Sequence, residues 1–315
     1  MPRFDVTIAG ELNLDLILYG LPQDLPPERE LLADRMMLTL GSSSAIVAHN
    51  LAALGSRVGF ISRIGDDQLG QVAAERLEAA RVDVSKLVRT AGATTGLTVI
   101  LQRESWRQII TYLGTISQLV FGDLDLEYLA DARHFHLSSY YLQRGLRPRV
   151  ADLFRELKQA GLTTSLDTND DPDDRWDEEL PTVLEYVDVF LPNSREVCKI
   201  AKTDDLEEAV ARLSEMVPVL VVKLGAKGAL AQRGSERFTS PAIAVEVIDP
   251  VGAGDSFNAG FLAQYVRGAD LDMCLASGNY AGAFSTTRPG GTEAFRDHDY
   301  VTRFFPRPLA ALPSK

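Results

Sequence analysis

The chain has 315 residues, a length that fits about two domains or one large α/β domain with an appendage. Hydrophobic residues make up 45% of it, and its formal net charge of −12 argues against nucleic acid or an anionic membrane as its main partner. The N-terminus lacks the charged and then apolar pattern of a signal peptide, and no apolar run approaches membrane-spanning length. Two distant cysteines, Cys198 and Cys274, favour a reducing compartment, so we expect a cytoplasmic protein.

The first two predicted strands cover residues 4–10 and 11–18. Polar and apolar residues alternate in the second strand, so Asn13 and Asp15 share one face. Both side chains could simply face water. Alternatively, Asp15 binds sugar hydroxyls at the carboxyl end of the first strand, where open α/β sheets bind ligands.

A run of small residues, Gly41, Ser42, Ser43 and Ser44, precedes a helix predicted over residues 45–54. These serines either cap the helix or hydrogen-bond a polyol. A strand over residues 58–64 and an amphipathic helix over residues 69–80 follow.

Residues 95–103 and 108–113 predict two strands joined as a hairpin, which interrupts the alternation of strands and helices. We expect this hairpin to form a lid together with residues near 12–40. Because a lid sheet has edges that must be covered, dimerisation through it is also expected.

From Ala132 onward, strands and helices alternate regularly, which predicts a mostly parallel, doubly wound sheet with helices on both faces. The predicted strands are 134–138, 163–167, 189–191 and 217–224, and the predicted helices are 150–160, 180–187, 194–201 and 206–216. His134 and His136 point to one side of their strand, but without a third ligand they are better explained as structural. Asp167, at the end of its strand, is a candidate site residue.

Two motifs at strand ends allow both a structural and a functional interpretation. Asn193 and Glu196 can form a capping box on the following helix, or they can hold a hydrated Mg²⁺. After the strand over residues 217–224, the glycines Gly225 and Gly228 permit the close approach of a nucleotide, and Lys223 or Lys227 could meet phosphate.

The stretch from residue 248 to residue 260 carries the most specific signal. A predicted strand over residues 244–248 leads into Gly252, Ala253 and Gly254, and a helix is predicted over residues 256–266. Small residues before a helix bring backbone N–H groups and the positive end of the helix dipole to an anion. Asp255 is either the N-cap of this helix or a base that takes a proton from a hydroxyl. The stretch matches neither a P-loop nor a dinucleotide fingerprint.

The last predicted helix, over residues 277–284, contains Asn279. It leads into a loop over residues 288–292 that could close over a nucleotide base or a monovalent cation.

Taken in order, these motifs resemble the ribokinase/PfkB-type carbohydrate kinase family over nearly the whole chain. The motifs that carry the resemblance are Gly41–Ala45, Asn193 with Glu196, Leu224-Gly225 with Gly228, and Asp249 with Gly252–Asp255. The resemblance implies a Rossmann-like core with a small β lid and ATP-dependent phosphorylation of a sugar or nucleoside hydroxyl. Asp255 would be the catalytic base, and the backbone of Gly252, Ala253 and Gly254 would hold the transferred phosphoryl group.

The same resemblance assigns the remaining site residues. The nucleotide would lie along Asn193, Lys223, Gly225, Lys227, Gly228 and Asn279, with Mg²⁺ held through water by Asn193 and Glu196. The sugar would face Asn13, Asp15, Gly41, Ser42, Ser43, Thr98, Tyr112 and Asp167. A monovalent cation, often K⁺, would bind near Asp249, Val251, Ser285, Arg288 and Gly290.

Three positions depart from the family pattern. The family's Gly-Gly pair is Gly41-Ser42, Ile46 stands at the place of a sugar-contacting asparagine, and Pro250 follows Asp249 where threonine is common. The leading hypothesis is a kinase for a small sugar or sugar acid. A nucleoside kinase and a non-catalytic sugar or nucleotide sensor are the alternatives.

Overall fold

The computed structural model describes residues 2–22, 24, 26–103, 107–176 and 179–305. The strands are β1 Phe4–Ala9, β2 Asn13–Tyr19, β3 Arg35–Leu40, β4 Val58–Ile61, β5 Arg63–Gly65, β6 Val88–Thr90, β7 Gly96–Gln102, β8 Arg107–Tyr112, β9 Ala132–Leu137, β10 Thr163–Leu166, β11 Val189–Phe190, β12 Val219–Lys223, β13 Ala229–Arg233 and β14 Glu236–Ser240. The helices are α1 Ser43–Ala53, α2 Gln68–Ala79, α3 Leu126–Ala130, α4 Val150–Gln159, α5 Leu180–Leu184, α6 Ser194–Ala201, α7 Leu206–Ser214, α8 Ala253–Tyr265, α9 Leu271–Ser285 and α10 His298–Phe304.

The main sheet has eight strands in the order β14-β13-β12-β11-β10-β9-β1-β4. Its central strands are parallel, and β13 and β14 form an antiparallel hairpin at one edge. Along β11, Phe190 packs into the hydrophobic cluster that contains Phe154 of α4, whereas Val189 faces the cluster that contains Phe261 of α8. Both faces of the sheet are therefore covered by helices, and the predicted doubly wound α/β fold is confirmed.

A separate small sheet has the strand order β3-β2-β7-β8. Only β2 and β7 are parallel, and the two outer pairs are antiparallel. The strands come from the two segments expected to form a lid, and the predicted connection at residues 104–106 lies outside the described residues. The lid role itself stays a prediction.

The predicted strand over residues 244–248 is wrong. This segment lies between Pro241 and Pro250 and has no regular secondary structure. Val247 is 59% exposed and Ile248 is 50% exposed, so the alternating pattern does not mark a buried face. The N–H of Ile248 donates to the carbonyl of Thr286 at 2.7 Å, outside any sheet.

Several other elements differ from the predicted ones. The strand predicted over residues 58–64 is divided into β4 and β5, and α9 begins earlier than residue 277. The β13–β14 hairpin and helix α10 were not predicted from the sequence; α10 packs Phe304 against Phe284 of α9. Across the described part of the chain, no helix combines the length and the apolar character needed to span a bilayer.

Candidate functional site

The carboxyl ends of three parallel strands bring distant polar residues side by side. Asp167 follows β10, Asn193 follows β11, and Lys223 ends β12. Asn193 and Lys223 form a bridge between adjacent strand ends. Helix α8 approaches the same edge, because Asn258 of α8 donates to Asp167 Oδ2 at 2.5 Å. Open α/β sheets bind ligands at the carboxyl ends of their parallel strands, so this edge is the candidate ligand-binding edge.

The first turn of α8 faces this edge through backbone atoms. Gly252 is the N-cap, with φ of 71°, a left-handed conformation that favours glycine. A Cβ atom built on Gly254 would lie 3.6 Å from Lys223 Nζ. The N–H of Ala253 donates to the carbonyl of Pro250 at 3.3 Å within the turn. The N–H of Gly254, the positive end of the helix dipole and the ammonium of Lys223 therefore lie in one region, which suits an anion.

Asp255 lies in the first turn of α8 and is not its N-cap, so the capping interpretation of Asp255 is wrong. Its side chain is buried, with 8% of the residue exposed. Burial, followed by the nearby charge of Asp167, raises the pKa of Asp255 above its usual value, although Lys223, Ser43 and Asn169 oppose the shift. A carboxylate with a raised pKa beside an anion site has the properties of a general base.

Asp167 lies beneath the site and does not line it. It is fully buried, and its carboxylate pairs with Lys223 and accepts hydrogen bonds from Asn258 and from the N–H of Asn169. Burial alone lowers the pKa of Lys223, but the charges of Asp167, Glu196 and Asp255 outweigh this effect and raise it. The predicted contact between Asp167 and the sugar is therefore corrected to a contact with Lys223.

A cluster of polar side chains, the polar pocket of the proposal below, lies between α8 and the small sheet. Asn13 Nδ2 lies 3.4 Å from Asp15 Oδ1 and 3.2 Å from Thr98 Oγ1. Burial, then the charge of Asp255, raises the pKa of Asp15 to about 7. Gly41 leaves room for the Asp15 carboxylate in its present position, because a Cβ atom on Gly41 would lie 2.1 Å from Asp15 Oδ1. The structure therefore brings together four predicted sugar contacts near Asp255.

Of the serines before α1, one caps the helix and another lies where it could hydrogen-bond a polyol. The hydroxyl of Ser42 donates to the carbonyl of Glu11 at 2.7 Å and accepts from the N–H of Ala45, so Ser42 is a cap and the predicted contact of its side chain with the sugar is corrected. Ser42 also keeps a φ of 63°, the conformation suited to the glycine that the family has there. Ser43 Oγ accepts from Asn169 Nδ2 at 2.8 Å and lies near Asp255.

Tyr112 lies on the wrong face of the small sheet for the predicted sugar contact. Asp15 pairs with Thr98, and Thr98 pairs with Thr111, so these three side chains share a face. Tyr112 is the next residue and pairs with Leu97 in the neighbouring row, which places it on the opposite face. Its side chain is 59% exposed.

Glu11 is a buried carboxylate between β1 and β2 that was not predicted as a site residue. It accepts from the N–H of Ser44 at 3.1 Å and from the Ser44 hydroxyl at 2.7 Å. Gln143 also donates to it, at 3.2 Å. Burial raises its pKa to about 7. Glu11 anchors the start of α1 beside the pocket, and its position at the end of a buried strand was the available signal.

The family of the chain follows from comparison with known proteins. The sequence pattern described as pfkB family carbohydrate kinase matches residues 3–297. The chain belongs to the pfkB carbohydrate kinase family. Family membership makes this protein a carbohydrate kinase that phosphorylates an alcohol group, and it implies the use of ATP.

Individual relatives resemble the kinase over most of its length. An ATP-dependent ribose-1-phosphate kinase from Halopiger xanaduensis is 29% identical over 92% of this chain and 94% of its own length. A probable sugar kinase from Rhizobium etli has a TM-score of 0.86 at 25% identity, covering 96% of this chain and 99% of its own. An E. coli protein described as a ribokinase II, solved with ATP and Mg²⁺, has a TM-score of 0.81 at 26% identity, covering 96% and 99%.

The predicted nucleotide residues of the kinase lie around the turn after β12. Gly228 has φ of 92°, and a Cβ atom on it would lie 2.0 Å from the carbonyl oxygen of Ser240, so only glycine fits. Gly225 and Lys227 are exposed beside it. Asn279 Nδ2 donates to the carbonyls of Ser240 and Pro241, at 3.0 and 3.1 Å. Asn279 therefore positions the chain that leaves β14.

Asn193 and Glu196 form the capping box that was one of their two interpretations. The N–H of Asn193 donates to Glu196 Oε2 at 2.8 Å, and the N–H of Glu196 donates to Asn193 Oδ1 at 3.0 Å. Burial, then the charge of Asp167, raises the pKa of Glu196 to about 7. Among the described side chains, no group of three or more His, Cys, Asp and Glu residues is arranged to bind a metal. Mg²⁺ that binds through water and nucleotide phosphates needs few protein ligands, so the pair still fits that role.

Three of the five predicted monovalent-cation residues, Asp249, Val251 and Gly290, lie together, whereas the side chains of the other two have different partners. Asp249 is 1% exposed, and its Oδ1 accepts from the N–H of Val251 at 2.9 Å, whereas Oδ2 accepts from the N–H of Gly290 at 3.0 Å. The side chain of Arg288 pairs with Asp297. The hydroxyl of Ser285 donates within α9 to the carbonyl of Gly282. Both oxygens of the Asp249 carboxylate therefore accept hydrogen bonds from backbone N–H groups.

Proposed function

We propose that this kinase transfers the terminal phosphoryl group of ATP to a hydroxyl, the primary alcohol, of a small neutral sugar. The observation that carries the proposal is the placement of two buried carboxylates near each other in front of α8. Asp255 is close enough to Asp15 for its charge to raise the pKa of Asp15. A polyol can donate hydroxyl protons to both carboxylates. It can therefore stabilise a pocket that would otherwise hold two negative charges close together.

Asp255 is the general base in this proposal. The sugar hydroxyl gives its proton to the carboxylate while its oxygen bonds to the terminal phosphorus and the bond from that phosphorus to the leaving ADP oxygen breaks. The backbone N–H groups of 252–254 stabilise the charge on the transferred group. Lys223 adds positive charge behind the same turn, because its Nζ lies near Gly254.

The side chains of the pocket favour a neutral sugar over a sugar acid or a phosphorylated sugar. Asn13, Asp15, Ser43, Thr98 and Asn169 supply amide, hydroxyl and carboxylate groups, and none of these named side chains is basic. Ile46 replaces a polar contact with an apolar wall, packed close to Gly252 and Gly291. An anionic substrate would be repelled by Asp15 and Asp255 without a compensating cation.

The nucleotide is proposed to lie over Gly225, Lys227 and Gly228, where the chain is exposed or free of side chains. Asn193 and Glu196, at the adjacent strand end, would hold hydrated Mg²⁺ through its water molecules. Bound Mg²⁺ would neutralise phosphate charge during transfer. We also propose a cytoplasmic location, since Cys198 and Cys274 are both free thiols.

The small sheet is proposed to act as a lid that excludes water during transfer. Its face opposite Asp15 includes Met36, Ile110 and Tyr112, which are 63%, 52% and 59% exposed. We propose that this apolar face forms a homodimer. Sedimentation velocity tests this point, and a monomer at micromolar concentration would contradict it.

An ADP-release assay with a panel of acceptors tests the function. Ribose and fructose represent neutral sugars, 2-dehydro-3-deoxygluconate represents sugar acids, ribose 1-phosphate represents phosphorylated sugars, and adenosine and guanosine represent nucleosides. We expect turnover with a neutral sugar. Turnover with nucleosides alone would favour a nucleoside kinase, and turnover with anionic sugars alone would overturn the proposed pocket chemistry. No turnover above background with any acceptor would favour a sensor.

A further inference from the structure

The hydroxyl of Tyr19 reaches from the small sheet to Asp249. It donates to Asp249 Oδ2 at 3.0 Å, across 230 residues of sequence. The same oxygen accepts from the N–H of Gly290 at 3.0 Å. Asp249 Oδ2 therefore accepts from two donors, on a residue that the family resemblance assigns to the monovalent-cation site.

An apolar contact accompanies this hydrogen bond. Ile17 and Ile100 of the small sheet pack with Val251, and the ring of Tyr19 packs against the same cluster. These three hydrophobic residues are 0%, 3% and 6% exposed. Val251 lies immediately before Gly252, the N-cap of α8. The small sheet is thus joined to the turn that carries the phosphate-binding N–H groups.

A cation at Asp249 would compete with these donors. A metal ion and an O–H or N–H donor both need the lone pairs of the same carboxylate oxygen, and a positively charged ion is repelled by the partial positive charge on the donor hydrogens. The hydroxyl of Tyr19 instead supplies a neutral donor, which stabilises the ionised carboxylate without a net charge.

We propose that the Tyr19 hydroxyl replaces a monovalent cation in this kinase. It holds Asp249, and through Asp249 the 250–254 turn, when the small sheet is closed. Tyr19 is therefore a positioning residue that couples closure of the small sheet to the order of the anion site. The kinase requires no monovalent cation. This inference rests on the proposed function of the 252–254 turn.

The test is Tyr19→Phe, which removes the hydroxyl and keeps the ring in its apolar cluster. Wild-type kcat should be equal in K⁺ and in tetramethylammonium at the same ionic strength. The variant should lose about tenfold in kcat, with a smaller change in the KM for the sugar, because misplaced donors affect transfer more than binding. K⁺ should restore part of that loss in the variant, since Asp249 Oδ2 has gained a vacant acceptor position.

Tyr128→Phe is the matched control. The hydroxyl of Tyr128 also donates to a carboxylate at 3.0 Å, that of Asp83, far from the anion site. The control should lose stability without a change in kcat or in cation dependence. A merely structural role for Tyr19 would make the two variants behave alike.

Hydrogen exchange separates this inference from the proposed function. Amides of residues 251–254 should exchange faster in Tyr19→Phe than in wild type, and K⁺ should slow them only in the variant. This outcome can be measured even if no acceptor is phosphorylated. A wild-type enzyme that needs K⁺, or a variant with unchanged exchange over these amides, would overturn the inference and leave the kinase assignment intact.

Discussion

Lys223 forms an ion pair with Asp167 directly behind the first turn of α8. The Asp167 side chain is fully buried and that of Lys223 is 12% exposed. The same ammonium lies near the backbone of Gly254, so one cation contacts a buried carboxylate and also faces the anion site. The charge of Asp167 reaches Asp255, whose pKa it raises after burial itself.

Asp167→Asn should move the acid limb of the kcat/KM profile to lower pH. Removing the Asp167 charge lowers the pKa of Asp255, and the freed charge of Lys223 acts in the same direction. Because Asp255 must be ionised to accept a proton, activity should then persist to lower pH. Asp173→Asn, at an exposed ion pair with Arg144, is the control. A limb that stays in place or moves to higher pH would contradict the coupling.

Asp255→Asn should lower kcat by about 10² or more, the usual scale for loss of a general base. ATP affinity should change little, because the backbone N–H groups that bind phosphate remain. Steady-state kinetics and calorimetric titration with ATP measure the two effects. Asp272→Asn, which alters a carboxylate in the first turn of α9, is the matched control. An unchanged kcat would count against the assignment of Asp255 as base.

Glu196→Gln should raise the Mg²⁺ concentration needed for half-maximal activity. The amide keeps the shape of the side chain but lacks the charge that attracts hydrated Mg²⁺. Titration of activity with Mg²⁺ measures the shift, and Glu208→Gln in the first turn of α7 is the control. Identical Mg²⁺ titrations for the variant and the wild type would refute this role for Glu196.

Gly228→Ala should destabilise the fold by roughly 3 kcal/mol or more, as expected for a backbone clash combined with positive φ. A Cβ atom there would lie 2.0 Å from the Ser240 carbonyl, and φ is 92°. Gly234→Ala is the matched control, since φ is 56° and a Cβ atom on Gly234 has no neighbour within 4 Å. The control variant should lower the free energy of unfolding by about 1 kcal/mol. Urea unfolding measures both, and equal losses would argue against the clash.

His134→Gln should reduce stability most at neutral pH. His134 is fully buried between Thr163 and Ser165, at 2.7 Å from each hydroxyl, and burial lowers its pKa to about 3 from 6.5. Below pH 6.5 His134 binds a proton in the unfolded chain but stays neutral in the folded chain. The contribution of His134 to stability is therefore lost as the pH falls.

The difference in the free energy of unfolding between wild type and His134→Gln should shrink by about 1.4 kcal/mol for each unit that the pH falls between about pH 6 and pH 4. Urea unfolding at several pH values measures this difference. His298→Gln, which changes an exposed histidine, is the control. A difference that is constant with pH would mean that His134 is not held neutral.

Local motifs were predictable because their chemistry acts between neighbours in sequence. The capping box of Asn193 and Glu196 and the glycine turn before Asp255 need only the backbone of one strand end and one helix start. By contrast, the alternation of residues 244–248 predicted a strand that does not form. An alternating pattern indicates a sheet only where neighbouring strands bury one side, and this segment has exposed Val247 and Ile248.

The amino-acid sequence determined the alternation of strands and helices over residues 132–224, the family and the turn that holds Asp255, since each depends on residues close together in the chain. The tertiary structure alone decided which face of the small sheet Tyr112 occupies, that Asp167 forms an ion pair with Lys223, and that Tyr19 donates a hydrogen bond to Asp249. Those pairings join residues as many as 230 positions apart, and strand register and packing fix them rather than any local preference.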